Sequence, residues 1–333
     1  MTFDPVQLTR QLIDIESITY NEGAVGAFLD DLLSERGFAV ERMPVEDGSR
    51  FNVYANVHEQ TPDIVLSTHM DTVPPFIASS EDEENIYGRG ACDAKGIVAA
   101  QIAAAERLRD SGVKVGLLFV VGEERDSVGA KVANEQPKGS RFLINGEPTD
   151  NRLGLASKGT LRALVKAKGK MAHSAYPELG ESAIHKLIEA LGRILEIKLP
   201  VTEDVGPSTL NIGLLEGGRA PNVIADHAEA QVMVRLVGSS DETRKAILDA
   251  AAGLADVDFV LEIPFMRLRA LDGLPTMVAA FTTDIPALTN WGEPLLLGPG
   301  SIHVAHTPHE KLAKRELFEA VDLYTEVAKR LVS

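Results

Sequence analysis

The chain has 333 residues, 44% of them hydrophobic and 25% charged, and its 33 lysines and arginines against 49 aspartates and glutamates give a net charge of −16. That balance argues against nucleic acid or an anionic membrane surface as partner, and no apolar run approaches the roughly 18 residues a membrane span needs. The single cysteine, Cys92, leaves no intrachain disulfide to form, and with no basic-then-apolar leader at the N-terminus the expected compartment is the cytoplasm.

At roughly 150 residues per domain, the length predicts two domains. Leu8, Leu12 and Ile15 recur at helical spacing, and Val25, Phe28, Leu29, Leu32 and Leu33 mark a second helix stopped by Gly37. Strands are predicted around 38–45, 51–57 and 63–68. A helix through Val98, Ile102, Ala105 and Leu108 follows, then a strand at 115–121, a helix near 127–134 and a strand at 141–146. Such alternation predicts an α/β fold with a mostly parallel sheet. From Lys158 the order becomes strand, helix, two strands, helix, strand, an inserted α+β (β-α-β-β-α-β) domain. The stretch Thr276–Ala280, the run LLL at 295–297 and a last helix with Leu317, Val321, Tyr324, Ala328 and Leu331 on one face return to the first domain. The expected division is 1–157 with 265–333, and 158–264 inserted between them.

Three predicted strands end in ionisable residues. IVLST runs into His69 and Asp71, VGLLFVV into Gly122, Glu123 and Glu124, and FLI into Asn145, Gly146 and Glu147, while Asp93 stands just before a helix. The carboxyl ends of strands in an open α/β sheet are where ligands sit. Four carboxylates and an imidazole at one edge repel and desolvate one another unless a cation lies among them, which points to a pair of divalent metals. Taken alone, Asp93 reads as a helix cap and His69 as a surface histidine. Cys92, beside Asp93 but with no base paired to it in sequence, is expected to be a small buried residue.

The ordered motifs HMD at 69–71, GRGACDAKG at 88–96, GEE at 122–124, GEP at 146–148 and GPGSIHVAHTPHEKL at 298–312 resemble the di-zinc aminoacylase and glutamate-carboxypeptidase family, which includes acetylornithine deacetylase and succinyl-diaminopimelate desuccinylase. GKMAHSAYP and LEGGRAPNVIADHAEAQVMVR extend the resemblance through the inserted domain. It implies that His69 and Glu147 bind one zinc, Glu124 and His306 the other, and Asp93 bridges them, with Asp71 orienting His69 and Glu123 as general base. It also implies a cis peptide at Asp93–Ala94, a homodimer joined through the inserted dimerisation and lid domain, His173 as an oxyanion donor from the partner subunit, and Asn222 and Arg235 as substrate contacts. Lys158 is a further substrate-side candidate. Cobalt and manganese fit the same donor set as zinc.

The implied activity is removal of the acyl group from an N-acyl amino acid, N-acetylornithine or a relative such as N-acetylcitrulline. The alternatives are a succinyl-diaminopimelate desuccinylase, a dipeptidase or carboxypeptidase, and, from another class, a non-catalytic metal-dependent binding protein, which would have no use for Glu123. In the tail His306 is the motif match. His303 and His309 are expected to line an entrance or, for His309, to cap the last helix. Met233 stands where the family commonly has an aspartate, and His58, His185 and His227 are expected on the surface.

Overall fold

The computed structural model describes residues 4–57 and 60–333, so His58 lies outside the described residues. The chain divides into two compact units, Met1–Leu155 with Leu268–Met277 and Thr283–Ser333, and Ala156–Arg267 with Val278–Thr282.

The first unit begins with α1 (Pro5–Asp14) and α2 (Gly23–Glu35). Asp4 caps α1 by accepting from Val6 N at 2.9 Å, with Pro5 in the first turn where no N–H is needed. The two helices are followed by β1 (Ala39–Val45), β2 (Arg50–Asn56) and β3 (Ile64–His69), the short β4 (Ser80–Glu81) and β5 (Asn85–Tyr87), then α3 (Lys95–Leu108), β6 (Val115–Val120), α4 (Val128–Asn134) and β7 (Phe142–Asn145). The six-stranded sheet runs β1-β2-β6-β3-β7, and its last strand lies far along the chain at Glu293–Leu296. β3 is parallel to β6 on one side and to β7 on the other, and the last strand is parallel to β7. All six residues of β3 and of β6 are buried, because helices cover both faces of this part of the sheet. On one face Leu12, Leu29, Leu66, Ile97, Ile102, Leu117, Ile144 and Val321 share a core, each side chain contributing about 1.5–3 kcal/mol by its burial. On the other, Tyr54, Leu118, Leu143 and Trp291 pack beneath α4, where the Trp291 indole N–H donates to Ala133 O at 3.1 Å.

The chain crosses into the second unit within β8 (Leu153–Ser157). There follow β9 (Gly159–Lys168), α5 (Ala183–Leu195), the short β10 (Val201–Thr202) and β11 (Gly206–Pro207), which pair with each other, β12 (Thr209–Gly217), β13 (His227–Leu236), α6 (Asp241–Ala251) and β14 (Asp256–Ile263), and the four long strands form an antiparallel sheet in the order β12-β13-β9-β14. Alternate residues Leu161, Ala163, Val165, Val232 and Val234 pack with Leu187, Leu191 and Ile247 of the helices, so one sheet face is covered. β15 (Met266–Arg267) pairs with Ser157 and Ala156. The strand β16 (Thr276–Ala279) ends among residues of the second unit, where Lys158 N donates to Ala279 O at 2.9 Å and Ser157 Oγ to Phe281 O at 2.8 Å. The division thus adds Ala156, Ser157, Phe265–Arg267 and Val278–Thr282 to the segment 158–264 read from the sequence.

The chain then completes the first unit with β17 (Glu293–Leu296), β18 (Lys311–Ala313) and α7 (Lys314–Val332). His309 does not cap α7, as the sequence reading had it. β18 intervenes, pairing with β5, and the residue before the first turn of α7 is Ala313, with no side-chain cap.

Candidate metal centre

Parallel pairing sets the carboxyl ends of β6, β3 and β7 at one edge of the sheet, so the residues that leave those ends meet. Gly122, at φ +80°, turns the chain into Glu123 and Glu124. At the next strand Gly146 N donates to Ser67 O at 2.6 Å and Thr68 Oγ1 donates to Gly146 O at 2.8 Å. A Cβ on Gly146 would lie 2.3 Å from Ile97, so only glycine lets α3 approach and turns Glu147 inward. Asp93 comes from the turn before α3, and its peptide bond to Ala94 is cis.

Asp93 sits between two imidazoles. His69 Nε2 is 2.9 Å from Oδ1, His306 Nε2 is 3.2 Å from Oδ2, and the same His306 nitrogen is 2.9 Å from Glu124 Oε1. One ligand atom each from His69, Asp93 and Glu124 lies within 4.8 Å of the others. Glu147 is 4% exposed and its Oε1 has no hydrogen-bond partner among the described residues. An orphaned buried carboxylate oxygen beside a nitrogen-and-oxygen donor set fits a divalent cation. His69 Nδ1 lies 3.0 Å from the Asp71 carbonyl and 3.5 Å from its carboxylate, so the backbone oxygen is the nearer acceptor and leaves Nε2 for the cluster. The Asp71 carboxylate accepts from Thr19 Oγ1 at 2.8 Å, Glu123 N at 3.1 Å and Glu124 N at 3.3 Å, tying the β6 loop to β3. The Glu123 carboxylate itself makes no hydrogen bond among the described residues, unlike that of Glu124.

The charges are mutually frustrated. Burial, then Glu147, pushes the Glu123 pKa well above the usual carboxylate range. Burial also raises Glu147 and Glu124, against the pull of His69 on the former and of a His306 hydrogen bond on the latter. Burial opposes charge on His69, but hydrogen bonds to Asp71 and Asp93 outweigh it and raise its pKa. Bonds to Asp93 and Glu124 lift His306 to about 10. Protons thus stand where a cation would. A metal needs the neutral imidazole, and at pH 7, below about 10, His306 still carries its proton. Metal loading at pH 7 is therefore expected to release protons, and affinity to rise with pH; calorimetry in buffers of different ionisation enthalpy measures both.

Sequence reading missed Glu310. It is 2% exposed, and its carboxylate accepts from Gly90 N at 2.9 Å, from Cys92 N and Asp93 N at 3.3 Å each, and from Arg89 Nη1 at 2.6 Å. It thereby fastens the loop carrying Asp93 to the tail carrying His306. Its place four residues after His306 in the tail motif was the available signal. Glu310→Ala leaves the Arg89 guanidinium buried and unpaired, an expected loss of about 3–5 kcal/mol in urea unfolding. Asp284 was also missed. It is 1% exposed, and burial lifts its carboxyl to about 6. Cys92 is buried, and burial, then Glu310, keeps its thiol protonated.

The remaining predicted residues belong to the second unit. His173 and Asn222 come together there: His173 bridges to Val223, and Ser174 N donates to Asn222 O at 3.0 Å. His173 Nδ1 accepts from Ala175 N at 3.1 Å, which leaves its outer nitrogen to carry the proton. Arg235, on β13, donates from Nη1 to Thr160 Oγ1 at 2.6 Å, and Lys158 Nζ donates to Pro207 O at 2.6 Å. His185 and His227 are exposed, as are His303 and His309.

A mostly parallel sheet whose carboxyl edge gathers two imidazoles and several buried carboxylates defines an α/β protein with a candidate metal site. The chain belongs to peptidase family M20/M25/M40, whose model matches residues 65–330. A peptidase M20 domain-containing protein of Schizosaccharomyces pombe is 41% identical over 96% of this chain and 82% of its own length. A probable carboxypeptidase of Aspergillus fumigatus is 40% identical over 95% of this chain and 84% of its own. Among solved structures, a tripeptidase from Staphylococcus aureus superposes with a TM-score of 0.84 at 20% identity, over 98% of this chain and 97% of that one. The chain is thus a hydrolase of a peptidase family, and the resemblance read from its motifs holds.

Proposed function

We propose that the protein hydrolyses the amide bond of an N-acyl amino acid or short peptide with a free carboxylate, at a centre of two divalent ions. His69 and Glu147 would hold one ion, Glu124 and His306 the other, with Asp93 between them; zinc suits the donor set, and cobalt and manganese are alternatives. When bound, the ions supply positive charge that polarises the scissile carbonyl and makes a nearby water more acidic. Glu123 takes the proton of the attacking water and returns it to the leaving nitrogen. Asp71 holds His69 and the β6 loop in place.

The observation that carries this reading is the contrast between neighbours: Glu124 engages His306, while the Glu123 carboxylate is half-buried, of raised pKa and without a hydrogen-bond partner among the described residues. A non-catalytic binding protein would not need that second group.

On the substrate side, Arg235 is suited to a carboxylate by its two-pronged guanidinium, His173 to a developing negative charge, and Asn222 to a polar contact. Lys158, already bonded to Pro207 O, is the weakest of these. His173 acts in this reading from a second copy of the chain. A homodimer is supported by the free edge of β12, where Leu214 and Leu215 are exposed, and by exposed Ile188 and Leu195 on α5. No helix among the described residues is long and apolar enough to cross a membrane.

The names of the relatives favour a peptidase or carboxypeptidase over a deacetylase of N-acetylornithine or N-acetylcitrulline, or a succinyl-diaminopimelate desuccinylase. Amine release by metal-loaded protein from those three and from a set of dipeptides separates them. Preference for the dipeptides supports the peptidase arm; turnover of one acyl amino acid alone moves the enzyme to amino-acid metabolism.

A further inference from the structure

The face of the second unit's sheet that points away from α5 and α6 carries two half-buried cations with no counter-charge among the described residues. In β9 and β13 the residues Leu161, Ala163, Val232 and Val234 point into the core, so Arg162 and Arg235 point the other way. Arg235 stands opposite Thr160 and Met233 opposite Arg162, which makes the two arginines diagonal neighbours about 7–8 Å apart, within reach of a common ligand for side chains this long.

The other arginines of the unit each pair with a carboxylate: Arg193 with Glu189, Arg219 with Asp226, Arg244 with Glu262 and Arg267 with Asp204. Among the described residues Arg162 and Arg235 pair with none. The buried Nε of Arg162 lacks any hydrogen-bond partner among the described residues, and Arg235 has only the Thr160 hydroxyl. Asp258, the nearest acid along β14 on this face, is engaged by Lys166 at 3.0 Å. Burial lowers the Arg235 pKa, and no acidic neighbour opposes it. Two half-buried like charges left side by side, in a chain whose net charge is −16, are destabilising unless an anion completes the site.

We propose that Arg162 and Arg235 together form a dicarboxylate-reading site, Arg235 taking the α-carboxylate and Arg162 a second, side-chain carboxylate, so that the preferred substrates are N-acyl or peptidyl glutamate and aspartate. The proposal rests on the amide-hydrolase reading. Each guanidinium fork matches one carboxylate through paired N–H donors. The same pair works against an ornithine or lysine side chain, whose ammonium would lie beside a second cation.

The test uses the metal-loaded full chain and the isosteric pair N-acetylglutamate and N-acetylglutamine, with glycyl-glutamate and glycyl-glutamine as the peptide pair. The acid is expected to exceed the amide at least about ten-fold in kcat/KM. Arg162→Met, which keeps the aliphatic stem, should raise KM for the acid by a similar factor while changing the amide little, and Arg162→Lys should restore part of the preference. No acid preference, or an equal loss on both members of a pair, overturns the site. Calorimetric binding of the acid and amide to Glu123→Gln protein is independent of turnover. If nothing is hydrolysed, the hydrolase reading fails, yet tighter binding of the acid that Arg162→Met abolishes still upholds the anion site, and equal binding rejects it.

Discussion

Glu123→Gln is expected to lower kcat by about 10²–10⁴-fold, the usual worth of a positioned general base, while the protein keeps its metal ions and its melting temperature. Glutamine has nearly the same shape, so packing is preserved, and the residue's backbone N–H can still donate to Asp71 Oδ1, as it does at 3.1 Å in the unaltered chain. What is lost is the ability to take a proton. The raised pKa of Glu123 suits that task, because burial and Glu147 make its carboxylate a stronger base than an exposed one. The discriminating readout is metal content measured beside activity. Loss of metal together with activity would make Glu123 a ligand and remove it from the role of base.

Asp93→Ala has the other large expected effect. Asp93 is the carboxylate that reaches both histidines, one oxygen to each, and an alanine leaves neither side of the cluster a shared anion. Removing a residue that merely orients a ligand typically costs 10–100-fold in metal affinity, so removing the shared ligand should cost more than about 100-fold and abolish turnover. Competition against a chromogenic chelator measures the affinity. A variant that binds both ions at nearly the unaltered affinity would exclude Asp93 as their bridge.

Much of this was legible because the chemistry sits at strand ends. Six consecutive buried residues in β3 give an apolar run that only a strand covered on both faces explains, and the run ends on His69. The same holds for β6 and the glutamates after it. The order of helices and strands in the second unit was legible too, since β9 and β13 alternate and α5 repeats its apolar residues Leu187, Leu191 and Ile194 at helical spacing. Contacts that join distant stretches were not. Glu310 bonds a loop some 218 residues earlier, and only its place in the tail motif sets its carboxylate apart from a surface one. The two- and three-residue strands β4, β5 and β18 are too short to show a period, which is why His309 was misread as a cap. The Asp71 carbonyl, nearer to His69 than the carboxylate, is a backbone detail that residue types do not carry.

The most direct test of the central claim is to strip the protein with a chelator and return zinc stepwise while following amine release from a mixed panel of dipeptides and N-acyl amino acids. The account predicts no hydrolysis by the stripped protein, activity that rises with added zinc and levels off near two ions per chain, and no such recovery in Asp93→Ala. Hydrolysis that survives complete removal of metal, or full zinc occupancy at the cluster with no turnover of any amide, would contradict it.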